Sequence, residues 1–131
     1  MRRFAIAVLA ATLAAIIAIA VSAKGDTAPK RESAVVEFTN TVKLTNVLLR
    51  GQYLIVHDEE RMAKGEPCTY VYSGTVEKAD MLVTSFHCIH MNRAKTDRLK
   101  VTFANYGGKS YETPEILEFQ FAGSADGHRV P

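Results

Sequence analysis

Met81-Leu82-Val83-Thr84-Ser85-Phe86-His87-Cys88-Ile89-His90-Met91 is the longest strand-like stretch of the chain. In an extended strand alternate side chains face opposite sides. Leu82, Thr84, Phe86, Cys88 and His90 then share one face, and Met81, Val83, Ser85, His87 and Ile89 share the other. Upstream, Cys68 opens a second strand candidate, Cys68–Ser73, and the turn-rich Gly74–Asp80 segment separates the two. Counted outward from a turn centred near residue 78, an antiparallel pairing sets Cys68 opposite Cys88.

The same reading extends in both directions. Short β-type runs occur at Val35–Phe38, Thr41–Leu44 and Gln52–His57, with Gly51 suited to a turn before the third. Tyr53-Leu54-Ile55-Val56 is apolar on both faces and belongs at the centre of the fold. His57–Glu66 is a charged connection with room for one helical turn, limited by Gly65 and Pro67. Downstream, Leu99, Val101 and Phe103 alternate with Lys100, Thr102 and Ala104, the pattern of a half-buried strand. Gly107-Gly108 predicts a hairpin turn, Pro114 interrupts the following ladder, and Leu117, Phe119 and Phe121 mark a last strand. Seven to eight short strands without a long helical period predict an all-β fold, an antiparallel β-sandwich or partly open barrel.

The ends divide the chain further. Met1-Arg2-Arg3, the apolar run Phe4–Val21 and the small residues of Val21-Ser22-Ala23 match a signal peptide over residues 1–23. The alternative is an uncleaved anchor, because the apolar run approaches the ~20 residues that a membrane span requires. Residues 24–33 read as a flexible lead-in, 34–122 as the β-sandwich domain, and 123–131 as a polar tail. Without residues 1–23, 108 of the 131 residues remain, enough for one domain with a modest core. Loss of Arg2 and Arg3 takes the 16 Lys+Arg down to 14, matching the 14 Asp+Glu. With no basic stripe left, nucleic acid is excluded as an expected partner, and contact with a membrane is expected only through an uncleaved leader.

Chemistry concentrates at the two cysteines. An exported domain meets oxidising surroundings, in which Cys68 and Cys88 are expected to form a disulfide. The competing reading is a soft-metal site for copper or zinc built on Cys68, Cys88 and His90, with His87 as an alternate ligand. His57, His128, Met62 or Met91 would supply a fourth ligand, although His128 in a polar tail is expected to be solvated. A reactive thiol lacks the C-x-x-C and βαβ context that such chemistry uses. The serines sit in no G-x-S-x-G elbow, and no glycine-rich phosphate loop precedes a helix.

Val42-Lys43-Leu44, Leu49-Arg50-Gly51-Gln52-Tyr53, Met62–Cys68, Ser85-Phe86-His87-Cys88 and Glu118–Gly123 together resemble small uncharacterised secreted bacterial β-rich proteins. Arg50 departs from the small residue more usual before that Gly-x-Tyr element. The resemblance implies a β-rich exported domain and carries over no catalytic residue. The sequence therefore predicts a non-enzymatic periplasmic or extracellular module that binds a protein or small ligand, stapled by Cys68–Cys88 and needing no cofactor. A copper- or zinc-binding protein is the alternative.

Overall fold

The computed structural model describes residues 29–104 and 112–131. The signal segment 1–23, the first half of the lead-in (24–28) and the Gly107-Gly108 turn lie outside the described residues. Two antiparallel four-stranded sheets form the domain, as the β-sandwich reading expects. The first is a simple meander of β1 (Arg31–Leu44), β2 (Val47–Asp58), β3 (Thr69–Ser73) and β4 (Leu82–Phe86). The second contains β5 (Ile89–Asn92), β6 (Lys100–Phe103), β7 (Ile116–Gln120) and β8 (Asp126–Arg129), in the spatial order β5-β8-β7-β6.

β1 and β2 make a long hairpin whose inward residues recur with period two. Phe38, Tyr53 and Ile55 are buried, and Val71 joins them from β3. Phe86, Ile116, Phe119, Phe121 and Val130 complete the same apolar cluster. Burying side chains of this size removes apolar surface worth about 25 cal/mol per Å², the main favourable contribution to a small domain. The outer face of the first sheet carries a second cluster of Val56, Tyr70 and Tyr72. Arg61, from the five-residue helix α1 (Glu59–Ala63), lies 4.4 Å over the Tyr70 ring and helps cover that face. Asp58 caps α1 by accepting hydrogen bonds from the Glu60 and Arg61 amides at 3.0 and 3.2 Å.

Several boundaries differ from the sequence expectations. β1 begins at Arg31, inside the expected lead-in, and joins the two expected strands 35–38 and 41–44 through a bulge between Phe38 and Val42. The hairpin turn falls at Thr45-Asn46, where Leu44 pairs with Val47, rather than at Gly51. Gly51 (φ 95°) instead sits within β2 opposite Phe38 and absorbs the bulge.

The opening stretch is likewise two strands, not one. β4 ends at Phe86 and β5 starts at Ile89, so the chain crosses from one sheet to the other at His87-Cys88. Across β3 and β4, Thr69 pairs with Phe86, one residue short of the predicted register. The tail is corrected too. Residues 126–129 form β8, inserted between β5 and β7, with His128 and Val130 buried. Its inward positions are those two residues, and polar neighbours mask the alternation in the sequence.

A candidate metal centre

The crossover at His87-Cys88 brings the cysteines together although they are not a ladder pair. Cys68 is fixed just before β3: its N–H donates to Phe86 O at 3.2 Å, and its carbonyl accepts from Asp58 N–H at 2.8 Å. The Cys88 N–H points at Cys68 Sγ at 2.9 Å. The two sulfurs lie at disulfide-bonding distance, with Cα atoms 6.2 Å apart, inside the range such a bond spans. Cys68 is almost fully buried, whereas Cys88 is half-buried.

On the side away from the β3 backbone, Cys88 meets two imidazoles. Its Sγ lies 3.8 Å from His57 Nδ1 and 3.9 Å from His128 Nδ1. The three donor atoms all fall within 4.8 Å of one another. His57 reaches this point because it continues the inward phase of Tyr53 and Ile55 along β2. His128 arrives from β8 in the other sheet, and the two rings stack with centroids 3.9 Å apart and planes inclined by 27°. Phe121 closes one side of His128, its ring centroid 5.7 Å away.

Burial sets the protonation of the cluster. Desolvation holds His57 below its ordinary value, and the nearby carboxylates of Glu59, Asp126 and Asp58 only partly offset it. Desolvation, reinforced by His57, depresses His128 to about 4. Both rings are therefore neutral near pH 7, the state in which an imidazole nitrogen ligates a metal. Glu32, which pairs with His57 across β1 and β2, is shifted upward chiefly by burial. Glu32 Oε1 and His128 Nε2 are buried, lack a hydrogen-bond partner among the described residues, and lie 3.8 Å apart.

The sequence-named residues divide clearly. Cys68 and Cys88 come together, and His57 and His128, ranked only as reserve ligands, are the imidazoles at Cys88. His90 is exposed; its Nε2 is 3.1 Å from Asn92 Oδ1, and its Nδ1 is 3.7 Å from Asp126. His87 is exposed on the crossover, and neither it nor His90 belongs to the three-donor cluster. Met62, nearly half exposed, and Met91 likewise contribute nothing to that cluster.

Donor types give the site its chemical character. Bonds of about 2.3 Å to sulfur and 2.0 Å to nitrogen hold those atoms about 3.7 Å apart around a trigonal ion, and about 3.5 Å around a tetrahedral one. The observed 3.8 and 3.9 Å exceed both, so the donors would have to close on an ion of either geometry. Two imidazoles with the Cys88 sulfur, a thiolate once reduced, are donor types that copper and zinc both accept. No helix among the described residues is long and apolar enough to cross a membrane. No family model matches the chain, and no curated protein or solved structure matches it significantly.

Proposed function

We propose that this chain is an exported β-sandwich domain that binds a soft transition-metal ion, copper or zinc, through His57, Cys88 and His128. The convergence of those three donor atoms, all within 4.8 Å of one another, carries the reading. Two neutral buried rings and the sulfur of the partly buried Cys88, once freed from Cys68, supply closely placed ligands. The Glu32–His128 contact supports it further. With Nδ1 on the metal, the His128 proton sits on Nε2, and a closure of under about 1 Å gives that N–H the Glu32 carboxylate as acceptor. Export to a periplasmic or extracellular compartment is inferred from the leader pattern and from paired cysteines, which persist in oxidising surroundings.

The second reading is a binding or envelope-associated module that uses no metal and is stapled by Cys68–Cys88. The proximity of the two sulfurs favours it. Titration of copper(I) and zinc into reduced protein, in competition with a chromophoric chelator, separates the two. Metal binding predicts one ion per chain, lost in His57→Ala and His128→Ala but kept in His87→Ala and His90→Ala. Equal binding by all four variants, or none by the reduced wild type, would leave the stapled module as the better account.

A further inference from the structure

We propose that Cys68 is a thiol–disulfide gate for the metal site and not one of its ligands, an inference that rests on the metal-binding reading above. Cys88 stands between two competing partners. On one side are the imidazoles at 3.8 and 3.9 Å; on the other is Cys68 at bonding distance. Cys68 falls outside the three-donor cluster, whose ligand atoms lie mutually within 4.8 Å. Its backbone is pinned by the bonds to Phe86 and Asp58, and as a thiol its Sγ has Phe86 O as acceptor 3.7 Å away. Cys88, by contrast, belongs to the irregular two-residue link between sheets. The geometry thus provides a fixed sulfur that captures and a less constrained sulfur that changes partner.

The chemistry balances with a dithiol reductant. Its thiolate attacks Cys88 Sγ, on the less buried residue of the pair, and Cys68 leaves as a thiolate that takes up a proton. The second thiol of the reductant then displaces Cys88 from the mixed disulfide. Two electrons pass to the cysteines, two protons accompany them, and the reductant leaves as its own disulfide. Metal entry displaces the remaining Cys88 proton to solvent. Exchange with an oxidised dithiol carrier, which takes up the two electrons and two protons drawn from Cys68 and solvent, re-forms the Cys68–Cys88 bond and leaves the ion only two imidazoles, a much weaker set for a soft ion.

The test is anaerobic copper(I) competition on oxidised wild type, wild type reduced with a dithiol and desalted, and Cys68→Ala. Cys68→Ser serves as a second variant should the alanine protein lose its β-sheet circular dichroism. The gate predicts one copper(I) per chain in the reduced wild type and in the Cys68 variant, with affinities within about tenfold of each other. Oxidised wild type should bind on the order of 100-fold more weakly. Equal affinity of oxidised and reduced wild type would refute the gate and reduce the metal site to its two imidazoles, since the disulfide leaves no Cys88 thiolate. Binding by reduced wild type but not by a folded Cys68 variant would make Cys68 a ligand and overturn the assignment. Absence of binding in every form removes the metal reading itself, and the gate with it.

Discussion

Reducing the Cys68–Cys88 link should lower the stability of the domain by an amount that follows from the chain it closes. The two residues are 20 apart in sequence. On the chain-entropy model a loop of that length restricts the unfolded ensemble by about 3 kcal/mol at 25 °C. In a domain of roughly 100 residues each kcal/mol moves the midpoint by about 4 °C or more, so the expected fall is about 12 °C. Thermal unfolding followed by circular dichroism at pH 7, with chelator present, reads this directly on oxidised and freshly reduced protein. Reduction is preferable to a double alanine substitution, because Cys68 is 1% exposed and truncation there adds a cavity cost of its own. Copper(I) should then restore part of the loss in reduced protein, since a ligand that binds only the folded state stabilises it by mass action. A fall of less than about 3 °C on reduction would show that the linkage does not restrict the unfolded chain as the loop argument requires.

Other consequences can be checked independently. His128 titrates near 4 when folded and near 6.5 when unfolded, so between those values the unfolded chain binds more protons, and stability falls as the pH is lowered. The loss approaches roughly 3 kcal/mol by pH 4 and is offset in part by Glu32, whose upward shift acts in the opposite direction. Urea titrations at pH 7 and 4.5 should show a smaller pH effect in His128→Gln than in wild type, and parallel behaviour would refute this assignment. Gly127→Ala would place a Cβ 2.7 Å from Glu118 Oε2, against the side chain that Arg93 holds through two hydrogen bonds of 2.9 and 2.7 Å. It should cost about 1–3 kcal/mol in chemical unfolding, and a neutral result would mean that the pair re-forms elsewhere. Thr45 holds φ 53° in the β1–β2 turn, a conformation that a β-branched residue resists. Thr45→Gly should therefore raise stability by about 1 kcal/mol, and a destabilised variant would show that the Thr45 hydroxyl contact to Leu44 O outweighs the backbone strain.

Alternation carried most of the fold. The sandwich follows from short period-two runs such as Leu99–Val101, although Phe103 beyond the bulge turns outward to solvent, and the central place of Tyr53–Val56 follows from its two apolar faces. Where alternation is interrupted, sequence reading fails for a physical reason. Nothing in Phe86-His87-Cys88-Ile89 announces a change of sheet, because an irregular pair within an apolar run leaves the residue pattern intact. That crossover separates Cys88 from the regular phase that linked it to His90 and turns it toward His57 and His128. The inward phase Tyr53, Ile55, His57 was available as a signal, but the charges that follow His57 drew it into the loop. His128 lay hidden because Ser124, Ala125, Asp126 and Gly127 read as tail, although His128 and Val130 share one face of β8 and its exit.

The central claim concerns which atoms would surround the ion, and copper-edge X-ray absorption on the reduced, copper(I)-loaded protein measures that shell. The account predicts one sulfur at about 2.3 Å and two imidazole nitrogens at about 2.0 Å, a shell that His87→Ala and His90→Ala leave unchanged. A shell with no sulfur, or with two, would contradict it.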